Sequence, residues 1–115
     1  MAMRWLLLCA LSLAACSKGA EADLAAIGEA RSLAAEWALV NEQSASGHLT
    51  ATYAEMMHKQ LREQLQTTSS ELSQPNSRYG VEIHAVLKLA DNASPEVLRS
   101  HAAALKQIED SLESA

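Results

Sequence analysis

Two prolines, Pro75 and Pro95, are all that this chain of 115 residues contains, and its four glycines stand singly. Proline ends a helix and glycine weakens one, so long stretches run without a breaker. Alanine, the best helix former, is abundant in them. Phenylalanine is absent, and the aromatic residues are Trp5, Trp37, Tyr53 and Tyr79. The core has to be built from Ala, Leu, Ile, Val and Met, which favours packed helices over a sheet.

Apolar spacing places those helices. A first helix is expected from about Glu21 to Ser46, with the stripe Ile27, Ala30, Leu33, Ala34, Trp37 and Val40 spaced by three and four. Gly47 is its stop signal, since glycine accepts the left-handed conformation that closes a helix. A second helix is expected from about Leu49 to Leu72, with the stripe Tyr53, Met56, Met57, Leu61, Leu65 and Leu72. Thr52 and Glu55 stand in capping-box spacing and would start it three residues later. Glu55–Lys59 is an i,i+4 pair on its exposed side.

Ser73 to Ser77 is a loop. Tyr79 to Ala90 alternates like a strand through Val81, Ile83, Ala85, Leu87 and Leu89, yet also fits a helix through Ile83, Val86, Leu87 and Ala90. A lone strand has no partner here, so a short helix is expected. Asp91 to Ser94 is the next turn. Ser94 as N-cap, Pro95 at the first helical position and Glu96 behind it open a last helix. It carries Leu98, Ala102, Leu105, Ile108 and Leu112 and runs to about Glu113. The fold class expected is all-α: a bundle of three to four helices built on a long antiparallel hairpin, with the shorter helices closing its open side.

The N-terminus, MAMRWLLLCALSLAAC, has a different character. Arg4 and the amine give a positive start, and the apolar run from Trp5 to Ala15 is too short for the ~20 residues of a spanning helix. Small residues then lead into Cys16, and together these describe an export signal. Leu13-Ala14-Ala15-Cys16 resembles the lipobox of bacterial lipoproteins. The resemblance implies cleavage between Ala15 and Cys16, a diacylglyceryl group on the Cys16 sulfur and acylation of the new N-terminus. It also implies residues 1–15 as signal peptide, 16–20 as lipidated tether and 21–115 as helical domain. A cut after Ser17 by the ordinary signal peptidase is the competing reading. Ser17 in place of Asp after the lipidated Cys implies the periplasmic face of the outer membrane over the inner membrane. RSLAAEWALVNEQ and LREQLQT resemble segments of small helical envelope proteins of alphaproteobacteria, a likeness that brings no activity with it.

Removing Arg4 with the signal leaves 8 Lys plus Arg against 14 Asp plus Glu, a net charge of −6. So acidic a domain is unsuited to nucleic acid, whose phosphates need a basic face. Cys9 would leave with the signal and Cys16 would be blocked by lipid, so a disulfide or thiol chemistry is not expected.

Motifs for catalysis are missing from the sequence: no G-x-S-x-G, no glycine-rich phosphate loop and no His-Glu-x-x-His. Glu55 and His58 have the Glu-x-x-His spacing of carboxylate di-metal bundles, which need two such motifs. With one, and with Lys59 and Arg62 beside it, Glu55 and His58 are weak metal candidates against the plainer reading of a solvated face. His101 is expected to be partly buried and hydrogen-bonded, and Glu109 and Asp110 to be exposed. Asn41, Glu42 and Gln43 read as the polar end of the first helix or as a polar patch beside the hairpin turn. Gln60, Gln64, Gln66, Thr67, Thr68, Ser69 and Ser70 form a polar face on the second helix, suited to solvent or to a glycan or helical partner.

The function expected is a non-catalytic interaction or accessory module, without cofactor, held to the membrane through Cys16 and presenting a helical face to an envelope protein. A carrier of a small apolar ligand and a small metal protein are the alternatives.

Overall fold

The computed structural model describes residues 19–115, and the signal peptide, the lipobox and Cys16 lie outside them. Four helices make up the described chain: α1 (Leu24–Ala45), α2 (Ala51–Ser70), α3 (Arg78–Leu87) and α4 (Pro95–Glu113). The expected all-α bundle is what forms, and Tyr79 to Ala90 is helical over most of its length.

Each helix begins and ends where its backbone groups find partners. Thr50, Ser77 and Ser94 accept hydrogen bonds from the amides of Tyr53, Gly80 and Val97 and so cap α2, α3 and α4. Pro95 and Glu96 open α4 as expected. The Thr52–Glu55 capping box does not operate: Thr50 takes the role, and Thr52 lies inside the first turn. At the end of α1, His48 N donates to Gln43 O (2.9 Å) and Gly47 N to Ser44 O (3.1 Å). Gly47 sits at φ 76°. This Schellman closure needs a left-handed residue and turns the chain sharply into α2.

The chain runs up, down, up and down. α1 touches every other helix and packs most extensively on α4, then on α2. The hairpin α1–α2 is present, but the larger interface joins α1 to the last helix, which at 19 residues nearly matches it in length. Ala30, Ala34 and Ala38 are fully buried on α1. Their short side chains let the neighbouring helices close in, and Ile27, Leu33 and Trp37 fill the space between. Leu61, Leu65, Ile83, Val86, Leu98 and Leu105 complete the core.

The α2 stripe is corrected. Tyr53 is 46% and Met56 57% exposed, while Ala54 and Thr68 are buried in their stead. The cause is the length of α3. With 10 residues against 20 in α2, it covers only the lower half of that helix. α2 and α4 stand diagonally without backbone contact, so no helix covers α2 on that side above the end of α3. None of the described helices is long and apolar enough to cross a membrane.

α3 is held tightly at its start. A Cβ on Gly80 would overlap the Pro75 carbonyl. Gly→Ala inside a helix ordinarily stabilises by about 1 kcal/mol. For Gly80→Ala the sign should invert, with a loss of about 1–3 kcal/mol from the overlap, read as a lower midpoint in urea unfolding of the Ser17–Ala115 domain.

Candidate functional site

Two polar clusters tie the loops of the bundle to its helices, one at each end. The lower one is centred on Asp23, which is 2% exposed. As the residue before α1, an Asp would be expected to cap its own helix, but its side chain makes no capping bond. The carboxylate instead accepts hydrogen bonds from Ser73 N (2.8 Å), Gln74 N (3.1 Å) and Tyr79 Oη (2.5 Å). Ser73 Oγ donates to Gly19 O (3.0 Å). The beginning of the described chain is thereby fastened to the loop between α2 and α3. Burial pushes the Asp23 carboxyl up, but the hydrogen bonds from Ser73, Tyr79 and Gln74 outweigh it and hold it below its ordinary value. Tyr79 is moved the other way, by burial first and by its bond to Asp23 second.

The upper cluster gathers around Trp37. The indole Nε1 donates to Asp91 O (2.9 Å), and Asn41 Nδ2 donates to Asp91 O (2.9 Å) and Ala93 O (2.7 Å). With both amide hydrogens on carbonyls, Asn41 presents Oδ1 to His58, whose Nε2 lies 2.6 Å away. His58 must therefore carry its proton on Nε2, and in the neutral ring Nδ1 is the acceptor. Arg62 lies over the Trp37 ring, 4.7 Å from its centroid. It donates to Leu87 O (2.9 Å), Leu89 O and Asp91 Oδ1 (2.7 Å). The planar guanidinium thus satisfies carbonyls at the open C-terminus of α3, where a cation is also favoured by the helix dipole.

This cluster floors a notch. Above Leu87 the place opposite α1 is vacant, and a hollow of about 260 Å³ opens there. Asn41, Ser44 and Ala45 of α1, His58 of α2, Asn92 and Ala93 of the loop and Pro95 of α4 line it. A second hollow is bounded by the Arg62–Asp91 bridge, with Thr52, Glu55, Met56 and Lys59 along α2. Glu55 and Lys59 share that rim without pairing to each other.

The metal candidates separate here: Glu55 faces the second hollow, whereas His58 is engaged by Asn41. Among the described residues no three His, Cys, Asp or Glu side chains converge on one point. His101 is partly buried as expected, with Nδ1 2.5 Å from Glu82 Oε1, and so links α4 to α3. Glu109 is corrected: it is largely covered and lies 3.2 Å from Arg31 Nε, an ion pair between α4 and α1. Asp110 is exposed and faces Lys106 at 3.4 Å.

The polar face of α2 is also revised. Thr67, Thr68 and Ser70 donate their hydroxyls to carbonyls of their own helix, and Thr68 is buried. Gln60, Gln64, Gln66, Thr67 and Ser70 stay toward solvent as expected, and with α1 the face forms a groove that brings together Glu29, Glu63 and Glu71 with Gln60 and Gln64.

Sequence reading missed Arg62 and Asp91 as partners, because 29 positions separate them. It read Asn41 only as part of a polar helix end or patch and passed over Asp23, although both fall in phase with the buried stripe of α1, where a polar residue signals a specific partner. In comparison with known proteins, no family model, curated protein or solved structure matches the chain.

Two outcomes follow for stability. Arg62→Met leaves the Leu87 and Leu89 carbonyls without their donor and should cost about 2–4 kcal/mol. Arg62→Lys should recover little of it, because an ammonium lacks the planar fork. Urea unfolding of both variants checks this, and full rescue by Lys would show that charge alone matters. Asp23, with its carboxyl held below the ordinary 3.8, contributes stability that is present above that value. It is lost as pH falls through the lower folded-state value. Thermal melts of wild type and Asp23→Asn should differ most near neutral pH and converge in acid.

Proposed function

We propose that this chain is a lipid-anchored envelope protein acting as a non-catalytic interaction or accessory module. The observation that carries it is Leu13-Ala14-Ala15-Cys16 behind a positive start and a short apolar run. Acyl chains on Cys16 would hold the domain to a bilayer, because each buried methylene contributes ~0.8 kcal/mol and more than one chain anchors stably. The acidic domain adds no electrostatic attraction to anionic lipid, so the covalent anchor acts alone. Ser17 supports the periplasmic face of the outer membrane.

The interaction reading draws support from the upper notch. It joins three helices and a loop, it is lined by amide, imidazole and small apolar groups, and exposed Met56 lines the neighbouring hollow on α2. Such a surface suits a protein segment better than a small apolar ligand, which needs an enclosed chamber.

Cross-linking in intact envelopes followed by pull-down, with the bait's mass read in the same sample, tests the proposal. Wild type should carry lipid and enrich a defined envelope protein that Cys16→Ala loses. A lipidated bait that enriches nothing sinks the interaction reading, and an unlipidated one sinks the anchor.

A further inference from the structure

We propose that the bundle stands on its lower end, with the loop Ser73–Ser77 against the bilayer surface and the notch pointing away from it. The inference rests on lipidation of Cys16 and adds the orientation that the fold imposes on it.

The first observation is how the anchor side of the chain is fastened. Gly19 O accepts hydrogen bonds from Ser73 Oγ (3.0 Å) and Ala22 N (3.1 Å). Asp23, four residues further on, holds the amides of Ser73 and Gln74. The start of the described chain is therefore pinned to the lower loop instead of swinging on a long linker. Three peptide units separate Cys16 from Gly19, and at ~3.3–3.6 Å per residue they reach about 11 Å at most. A lipid on Cys16 brings the lower end of the bundle to the headgroups.

The second observation is charge. In a domain with six more acids than bases, Ser73, Gln74, Pro75, Asn76 and Ser77 carry no charge. Arg78 follows the loop, while Glu21, Glu71 and Glu113 and the buried Asp23 stand behind it at the same end. The tip of the lower end is thus uncharged, with acids set behind it. The side groove between α1 and α2 instead presents Glu29, Glu63 and Glu71, and no basic residue lines it. Anionic headgroups repel that side, so tipping the bundle onto it is unfavourable, whereas the uncharged loop offers hydroxyl and amide groups to phosphates at little cost.

Asn41 lies 17 residues along α1 from Leu24, which at 1.5 Å per residue is about 26 Å up the helix. The notch at Asn41, His58 and Asn92 is then out of reach of the lipid and open to a protein in the adjoining compartment. Its occupant is not the membrane.

The test uses the full chain, exported and processed in a bacterial host. The purified protein is reconstituted in vesicles of phosphatidylethanolamine and phosphatidylglycerol containing a headgroup-nitroxide lipid. A fluorophore is attached in turn through Asn76→Cys, Ser114→Cys, Asn92→Cys and Ser100→Cys, all at exposed positions. The labels at 76 and 114 should lose most of their emission to the nitroxide, while those at 92 and 100 should match vesicles without it. Equal quenching at all four positions, or stronger quenching at 92 or 100, overturns the upright orientation. The mass of each sample separates the two claims: a lipidated protein with uniform quenching refutes the orientation alone, and an unlipidated protein refutes the anchor and the orientation together.

Discussion

An indole buried in a core made of alanine and small aliphatic residues sets a requirement that the rest of this bundle meets. Trp37 is fully covered, and its Nε1–H must find an acceptor or cost about 1–3 kcal/mol. α1 cannot supply one, because its own carbonyls are engaged in helical bonds. The acceptor is Asp91 O, 54 positions away in the connection between α3 and α4. That loop has to come back across the ring, so α3 has to end early. The Leu87 and Leu89 carbonyls exposed by its ending fall to Arg62, which lies over the same ring. One side chain thereby fixes the length of α3, the path of the loop and the open upper half of the bundle.

The two ends solve the same problem in different ways. At the lower end a carboxylate accepts from loop amides, and at the upper end an amide, an indole and a guanidinium donate to loop carbonyls. Asp23, just before α1, and Asn41 on it fall in one phase, so this helix organises both loops besides supplying seven of the eighteen buried core residues. The lower cluster is negatively charged and buried, which ties its strength to ionisation of Asp23. In the upper cluster the charge-assisted bonds come from Arg62.

The helices were legible because their signals are local. Ser94-Pro95-Glu96, Gly47 and the three-and-four spacing of α1 and α4 act within a turn or two of sequence. Even the ambiguous segment around Ile83 resolved once a lone strand was seen to lack a partner. The phase of α2 was not legible. Tyr53, Met56, Met57 and Leu61 make a plausible stripe, and whether its first two members are buried depends on how far α3 reaches. That length is set by Trp37 and Arg62 from other helices. The polar clusters were hidden for the same reason: the bonds that join their elements span 17 to 56 positions. Two hints were present nonetheless, since Asp23 and Asn41 occupy stripe positions where an apolar residue would be cheaper.

Like Leu39, Val81 and Val97 elsewhere on the domain, Tyr53 and Met56 are left in solvent, here by the short α3. A chain selected for stability alone would lengthen α3 by two turns and cover them. Lengthening would also displace the Asp91 carbonyl from Trp37 and close the hollow beside His58. Covering that surface and satisfying the indole are therefore mutually exclusive in this topology. The balance struck keeps the polar floor intact and the cleft above it open, with its apolar residues confined to one flank on α2. In this arrangement the floor's donors are paired within the chain. It still offers new apolar burial to whatever enters from above.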